Sequence, residues 1–204
     1  MNIKNPNWKR DRIASLEESI EFLGNKSKYQ REKWVVERLL SALGINYNDA
    51  DFARGDEPAD VSFGGSHFQV KEVMNKERKR SKEYKEKLEK AKVANNFNDL
   101  TEHYSPMDIS FTEIVKLCIN YAESLIKIKK YGLQERKRMN LICYFNYKDC
   151  NEVPPIEIGN ENDGFRSLSV VSNRFCAVVY ASSGAPQFLI DAKGQVVDFP
   201  HVYK

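Results

Sequence analysis

The stretch EPADVSFGGSHFQVKEV, residues 57–73, decides how this chain folds. Two short runs of β-prone residues flank Gly64 and Gly65. A glycine pair readily supplies the positive backbone angles that a tight hairpin turn requires. The sequence therefore predicts a β-hairpin with strands over residues 60–63 and 67–73.

The second strand of this hairpin carries Gln69, Lys71 and Glu72 among apolar neighbours. Side chains alternate between the two faces of a strand, so Gln69 and Lys71 share one face and Glu72 lies on the other. If Asp60 points to the first face, a carboxylate, an amide oxygen and an ammonium group converge there. Either that face is in contact with water, or it lines a reaction site.

The three converging groups suit metal-assisted hydrolysis of a phosphodiester. Asp60 and the amide oxygen of Gln69 are ligands of the hard type that Mg²⁺ or Mn²⁺ prefers. Lys71 would orient or help to deprotonate the attacking water and offset developing negative charge. The structural alternative is that Asp60 pairs with Lys71 across the hairpin, which contributes about 0.2–1 kcal/mol if the pair is exposed.

A predicted helix over residues 28–43, ended by Gly44, adds a further carboxylate. Placing its residues at about 100° intervals sets Glu32 near the middle of an apolar arc. A carboxylate there is costly without a hydrogen-bonding, cationic or metal partner, so Glu32 is the candidate that completes the site. The alternative is a glutamate at the helix end that simply reaches solvent.

The order of these segments resembles that of a known enzyme superfamily. REKWVVERLLSALGI followed by ADVSF and FQVKEV resembles the PD-(D/E)XK nucleases, in which a helical glutamate often precedes an acidic residue and an acid-x-Lys strand. The resemblance implies a restriction-endonuclease-like fold that cuts DNA. It also implies that Glu32, Asp60, Gln69 and Lys71 are catalytic and that Asp60 and Gln69 bind the metal.

One position departs from that superfamily pattern, because Gln69 stands where an acid is expected and a neutral amide binds a divalent cation less strongly. Glu72 compensates only if a bulge turns it to the Gln69 face, and Glu57 or Asp56 could do so from the loop. More narrowly, EPADVSF together with GFRSLSVVSNRFCAVVYASSGAPQFL is similar to a bacterial family catalogued as candidate endonucleases of unknown function.

A basic segment, residues 76–92, follows the hairpin and holds nine basic and four acidic residues. Basic clusters suit the phosphate backbone of a nucleic acid. The alternative is a solvated helix with interleaved charges. The candidate nucleic-acid-binding residues are Lys76, Arg78, Lys79, Arg80 and Lys82.

The remaining elements can be placed from caps and periodicity. Capping-box spacings at Ser15 and Ser110 predict two helix starts, and the second opens a strongly amphipathic helix. Polar loops are expected over 95–108 and 149–163. We predict one α/β domain, residues 1–204, in which helices flank a mixed β-sheet. The remaining predicted strands cover 140–147, 167–172, 175–182 and 187–190.

Composition limits the class of protein. The chain has 204 residues, 41% hydrophobic and 30% charged, with a net charge of +3. No apolar run approaches the roughly 18 residues of a membrane span, and no secretion signal is visible, so a cytoplasmic location is expected. The four cysteines are scattered without the spacing of a zinc site.

The leading hypothesis is a Mg²⁺-dependent endonuclease that acts on DNA. A second is a nucleic-acid-binding module that kept the fold and lost the chemistry, and a third is a protein-interaction component whose basic helix binds an acidic partner. A homodimer is left open, because many nucleases cut both strands as dimers.

Overall fold

The computed structural model describes residues 7–102, 104–155, 157 and 164–199. The chain divides into two compact units, one formed by residues 1–31 and 76–105, the other by residues 32–75 and 106–204. Each unit is described by itself, and the single domain over residues 1–204 stays a prediction.

Within the described residues, the helices are α1 (Trp8–Leu23), α2 (Lys28–Ala42), α3 (Arg80–Val93), α4 (Phe111–Lys127), α5 (Leu133–Arg136) and α6 (Gln187–Asp191). The strands are β1 (Phe52–Arg54), β2 (Val61–Phe63), β3 (Ser66–Val73), β4 (Met107–Ser110), β5 (Asn140–Phe145), β6 (Cys150–Val153), β7 (Ser167–Val171), β8 (Phe175–Ala181) and β9 (Val196–Asp198).

The first unit is a pair of helices, α1 and α3. Leu16 of α1 and Ala91 of α3 are both buried. The helix α1 begins at Trp8, so the expected start at Ser15 is wrong. Ser15 lies inside the helix, where its carbonyl accepts a hydrogen bond from Ser19 Oγ at 2.8 Å. A serine and a glutamate three residues apart also fit a helix interior, and the spacing alone does not fix a start.

The second unit is built on a seven-stranded mixed sheet in the order β1-β2-β3-β5-β7-β8-β9. The three central strands β3, β5 and β7 are parallel, and antiparallel strands extend the sheet on both sides. A separate pair of parallel strands, β4 and β6, lies outside it. The predicted α/β class, a mixed sheet flanked by helices, is confirmed.

Helix α4 covers one face of this sheet and belongs to the parallel connection from β3 to β5. The α4 side chains Ile114 and Cys118 pack in one buried cluster with Leu141 and Cys143 of β5. Side chains point alternately along β5, so its Tyr144 points to the other face. There it meets Trp34 of α2, edge to face, with ring centroids 5.5 Å apart.

The predicted hairpin forms from β2 and β3. Gly64 and Gly65 adopt φ angles of +52° and +75°, which the turn requires and other residues rarely adopt. The register pairs Val61 with Phe68. The helix start at Ser110 is also confirmed, since its hydroxyl accepts a hydrogen bond from the Glu113 amide at 3.2 Å.

Three expectations about the strands are wrong. Residues 187–190 lie in helix α6 and not in a strand, because a four-residue apolar run does not distinguish the two and Pro186 precedes a helix well. The expected loop 95–108 overlaps β4 at Met107 and Asp108, and the expected loop 149–163, part of which lies outside the described residues, contains β6. These strands pair with each other across the intervening helix α4, and such a distant pairing leaves no local pattern.

A candidate active site on strand β3

Asp60 is the centre of a polar cluster in the second unit. It directly precedes β2 and continues the hairpin pairing, with its backbone N–H donating to Phe68 O at 2.9 Å. The carboxylate Oδ2 accepts hydrogen bonds from the Val70 backbone N–H at 3.0 Å and from the Gln69 side-chain amide. Lys71 Nζ lies 3.9 Å from the same oxygen. The hairpin thus brings Asp60, Gln69 and Lys71 together.

This cluster is largely shielded from water. The side chains of Asp60 and Lys71 are 8% and 21% exposed, and Gln69 is 2% exposed. The pairing of Asp60 with Lys71 that the structural alternative expects is present, but the pair is largely buried, so the small contribution of an exposed pair does not apply to it. A buried carboxylate needs its donors and its cation, and removing one partner leaves a costly unpaired charge.

The orientation of Gln69 matters for metal binding. Its amide nitrogen donates to Asp60, so the nitrogen and not the oxygen faces the carboxylate. A nitrogen that carries two protons cannot bind a cation. Rotation of the amide by half a turn would exchange the two atoms and place two oxygen ligands side by side.

Strand register assigns the cluster to one face of the sheet. Lys71 lies directly opposite Cys143 in the parallel pair β3 and β5, so both point to the face that α4 covers. The register runs without interruption from Phe68 to Val73. Glu72 therefore points to the opposite face, where its carboxylate accepts a hydrogen bond from Asn146 at 2.6 Å, and no bulge turns it toward Gln69.

Glu32 lies near the start of α2 and is half-buried. Helix α2 contacts the sheet through Trp34 and Tyr144, on the face opposite the one that register assigns to Lys71. Glu32 interacts with other groups of the protein. Its membership of the Asp60 cluster stays a prediction.

Tyr131 is a neighbour of the cluster that the sequence did not single out. It lies just after α4, is buried, and packs edge-on against Phe165 at a centroid distance of 6.2 Å. Burial, and next the negative charge of Asp60, raise the pKa of the Tyr131 phenol. The phenol therefore stays protonated at neutral pH. A lone tyrosine in a connection between elements carries no pattern that could have identified it.

The basic segment lies in the first unit and mostly in α3. Arg78 Nε donates to Glu83 at 3.1 Å and its side chain is only 14% exposed, so this arginine is already paired within the unit. Lys76, Lys79 and Lys82 are exposed, whereas Arg80 is half-buried. The lysines are therefore better placed than the arginines to meet a phosphate backbone.

Among residues 7–102, 104–155, 157 and 164–199, no three His, Cys, Asp or Glu side chains come together as metal ligands. A metal ion at the cluster would be coordinated by the carboxylate of Asp60 and the amide oxygen of Gln69. Mg²⁺ sites commonly use one or two protein carboxylates and complete the shell with water and substrate oxygens. By donor chemistry, the two residues fit such an ion once the amide has rotated.

The fold and the cluster define the chain as an α/β protein with a buried carboxylate, amide and ammonium on a central hairpin. It belongs to the family described as "Putative endonuclease, protein of unknown function (DUF1780)", whose model matches residues 6–202. No curated protein matches the chain.

One solved structure is similar over nearly the whole length. It is a protein of unknown function from Pseudomonas aeruginosa strain PAO1, described as belonging to the monooxygenase superfamily. The two are 26% identical with a TM-score of 0.62, and the likeness covers 98% of this chain and 97% of that one. In the described part of this chain, no helix has the length and apolar character needed to cross a membrane.

Proposed function

We propose that this protein is an endonuclease that hydrolyses DNA phosphodiester bonds with Mg²⁺ or Mn²⁺, in the manner of the PD-(D/E)XK nucleases. The observation that carries the proposal is the convergence of Asp60, Gln69 and Lys71 at a shielded point of the sheet. The description of the family supports the same reaction class.

When bound, the cation would act as a Lewis acid on the phosphate and lower the pKa of a bound water. Asp60 and Gln69 would hold it. The neighbouring Lys71 ammonium would orient the attacking water and stabilise negative charge on the phosphate in the transition state. Glu32 is proposed to complete the site.

A nuclease assay on linear, supercoiled and single-stranded DNA, with Mg²⁺ or Mn²⁺ and with a chelator, tests the reaction. Asp60→Asn and Lys71→Met should each lower the cleavage rate by at least about 100-fold, the usual loss when one electrostatic contact to a transition state is removed. Lys137→Met, at an exposed lysine of the same unit, is the matched control and should cleave normally. Cleavage that persists in both site variants would remove the cluster from the mechanism.

Glu32→Gln separates the two parts of the proposed site. If Glu32 completes it, this variant should lose activity as Asp60→Asn does. Full activity in Glu32→Gln would restrict the site to the hairpin, in agreement with the face on which α2 lies.

A second candidate function is a nucleic-acid-binding module without catalysis. It is favoured by the orientation of Gln69, whose amide nitrogen, together with a backbone N–H, already satisfies the Asp60 oxygen. This candidate predicts DNA binding whose affinity falls as salt rises, with no metal-dependent cleavage. Replacing Lys76, Lys79 and Lys82 by Ala should then weaken binding similarly for all DNA sequences; unchanged affinity would count against this surface.

A further inference from the structure

A recess of about 310 Å³ opens in the second unit beside the Asp60 cluster. It lies between the loop before β2, the beginning of β3, and helix α5 with its connection to β5. Ala59 lines the recess and is followed directly by Asp60, while His67 lines it two residues before Gln69 on the same face of the strand. The recess therefore lies next to the cluster along the hairpin, although Asp60, Gln69 and Lys71 do not themselves line it.

The lining combines groups of opposite hydrogen-bonding character. Pro58, Ala59 and Met139 contribute apolar surface. The exposed carboxylates of Asp56 and Glu57 supply acceptors. These two carboxylates disfavour a free phosphate as the ligand.

The same lining also carries a cationic donor and a histidine. Arg138 is exposed and lines the recess, which disfavours a simple cation as ligand. His67 shares a hydrogen bond between Nδ1 and Ser62 Oγ at 3.0 Å, which fixes the imidazole ring. A third carboxylate, Glu135, is already engaged, because its Oε2 accepts from the Gly132 backbone N–H at the start of α5.

A flat heteroaromatic ring that carries both donors and acceptors matches this lining better than either ion. Guanine presents N1–H and the N2 amino group side by side, and a single carboxylate can accept both. Its O6 and N7 are adjacent acceptors of the kind that an arginine binds with two hydrogen bonds. Adenine lacks the adjacent donor pair, and pyrimidines lack the N7 acceptor.

We propose that this recess binds a guanine base from single-stranded or locally opened nucleic acid, with Glu57 on its donor edge and Arg138 on its acceptor edge. A base held there would belong to a nucleotide whose phosphate lies next to Asp60 and Lys71. Selection of guanine beside the cleaved bond rests on the proposed nuclease function, whereas binding of the base itself needs neither metal nor catalysis.

Binding is tested with the full chain and the four nucleoside 5′-monophosphates of G, A, C and U, in chelator, by NMR titration. Guanosine monophosphate should bind at least about 5-fold more tightly than the others, the lower limit of what one good bidentate contact contributes to discrimination. Arg138→Ala and Glu57→Gln should abolish this preference, while Lys137→Ala, at the neighbouring exposed lysine, should preserve it. Circular dichroism of each variant establishes that it is folded.

Two results would overturn the proposal: equal binding of the four nucleotides by the wild type, or a guanine preference that survives both recess variants. Cleavage is measured separately, on oligonucleotides that differ in one base. A guanine preference in binding without any cleavage would count against the nuclease and support the recess. Cleavage by the Asp60 cluster with no base preference, together with equal nucleotide binding, would count against the recess alone.

Discussion

The side chain of Gln69 shows how one residue can set the chemistry of the cluster. It is buried and its amide nitrogen points at Asp60. A glutamate at this position would put two carboxylates side by side with the single ammonium of Lys71 3.9 Å from one of them. Two neighbouring carboxylates repel each other unless a cation lies between them. The neutral amide avoids this repulsion in the absence of a cation.

The Gln69→Glu variant should consequently have a lower melting temperature than the wild type in chelator. Addition of Mg²⁺ or Mn²⁺ should raise the melting temperature of the variant again. The expected loss without metal is about 1–3 kcal/mol of unfolding free energy, the cost of an unsatisfied buried polar group. Thermal unfolding at several metal concentrations measures both effects. Gln30→Glu, at an exposed glutamine, should show neither, and a Gln69→Glu protein that does not respond to metal would argue against an ion at this point.

At the level of elements, the hairpin and helix α4 could be predicted because their signals are local. Two glycines set the turn, a serine and a glutamate three residues apart set the helix start, and the alternation within one strand placed Gln69 and Lys71 together. Tyr131 and the recess could not be predicted, since distant segments supply them. Strands β4 and β6 were missed for the same reason.

The start of α4 gives a measurable test of the capping box. Ser110→Ala should reduce the free energy of unfolding by about 1 kcal/mol, because the Glu113 backbone N–H loses its acceptor. Ser183→Ala, at an exposed serine outside a helix, should have little effect. Chemical denaturation of both variants measures the difference, and equal stability would show that the Ser110 cap contributes nothing.

Helix α3 carries an ion pair network with a defined pH dependence. Burial alone would raise the pKa of Glu83, but hydrogen bonds from Lys87 and Arg78 outweigh it and hold the pKa below its ordinary value of 4.5. A carboxyl with a lowered pKa in the folded state stabilises the fold above the unfolded pKa, and this contribution disappears as the pH falls through the folded pKa.

The wild type should therefore be more stable than Glu83→Gln at pH 7, by about 0.5–1 kcal/mol given partial exposure of the pair. The difference should shrink steadily below pH 4.5. Unfolding curves at a series of pH values measure it. A difference independent of pH would show that the ionised carboxylate is not the stabilising group.

In the second unit as a whole, Glu152 joins the small sheet to the large one. It lies on β6 and is 7% exposed. Its carboxylate accepts hydrogen bonds from the Ser172 hydroxyl and from the backbone N–H groups of Asn173 and Arg174, at 3.2 and 3.0 Å. This buried carboxylate satisfies the hydrogen-bond donors of the turn between β7 and β8. It thereby links the small sheet to the large one within this unit.

Glu152→Ala should lower the free energy of unfolding by about 2–4 kcal/mol, because the buried Ser172 hydroxyl and two partly buried backbone N–H groups lose their acceptor together. Glu89→Ala, at an exposed glutamate of α3, is the control and should change stability by less than about 0.5 kcal/mol. Denaturant titration of both variants measures the contrast. A loss in Glu152→Ala no larger than in the control would mean that water replaces the carboxylate.

The glycine turn between β2 and β3 has a consequence for how this protein can change over evolution. Because neighbouring side chains on a strand point in opposite directions, one extra amino acid in the turn, if it shifted the pairing by one step, would rotate Asp60 away from Gln69 and Lys71 at once. An insertion there would therefore disrupt the cluster without changing any of its three side chains. The number of residues in this turn is thus a requirement for the cluster, separate from the chemistry of its side chains.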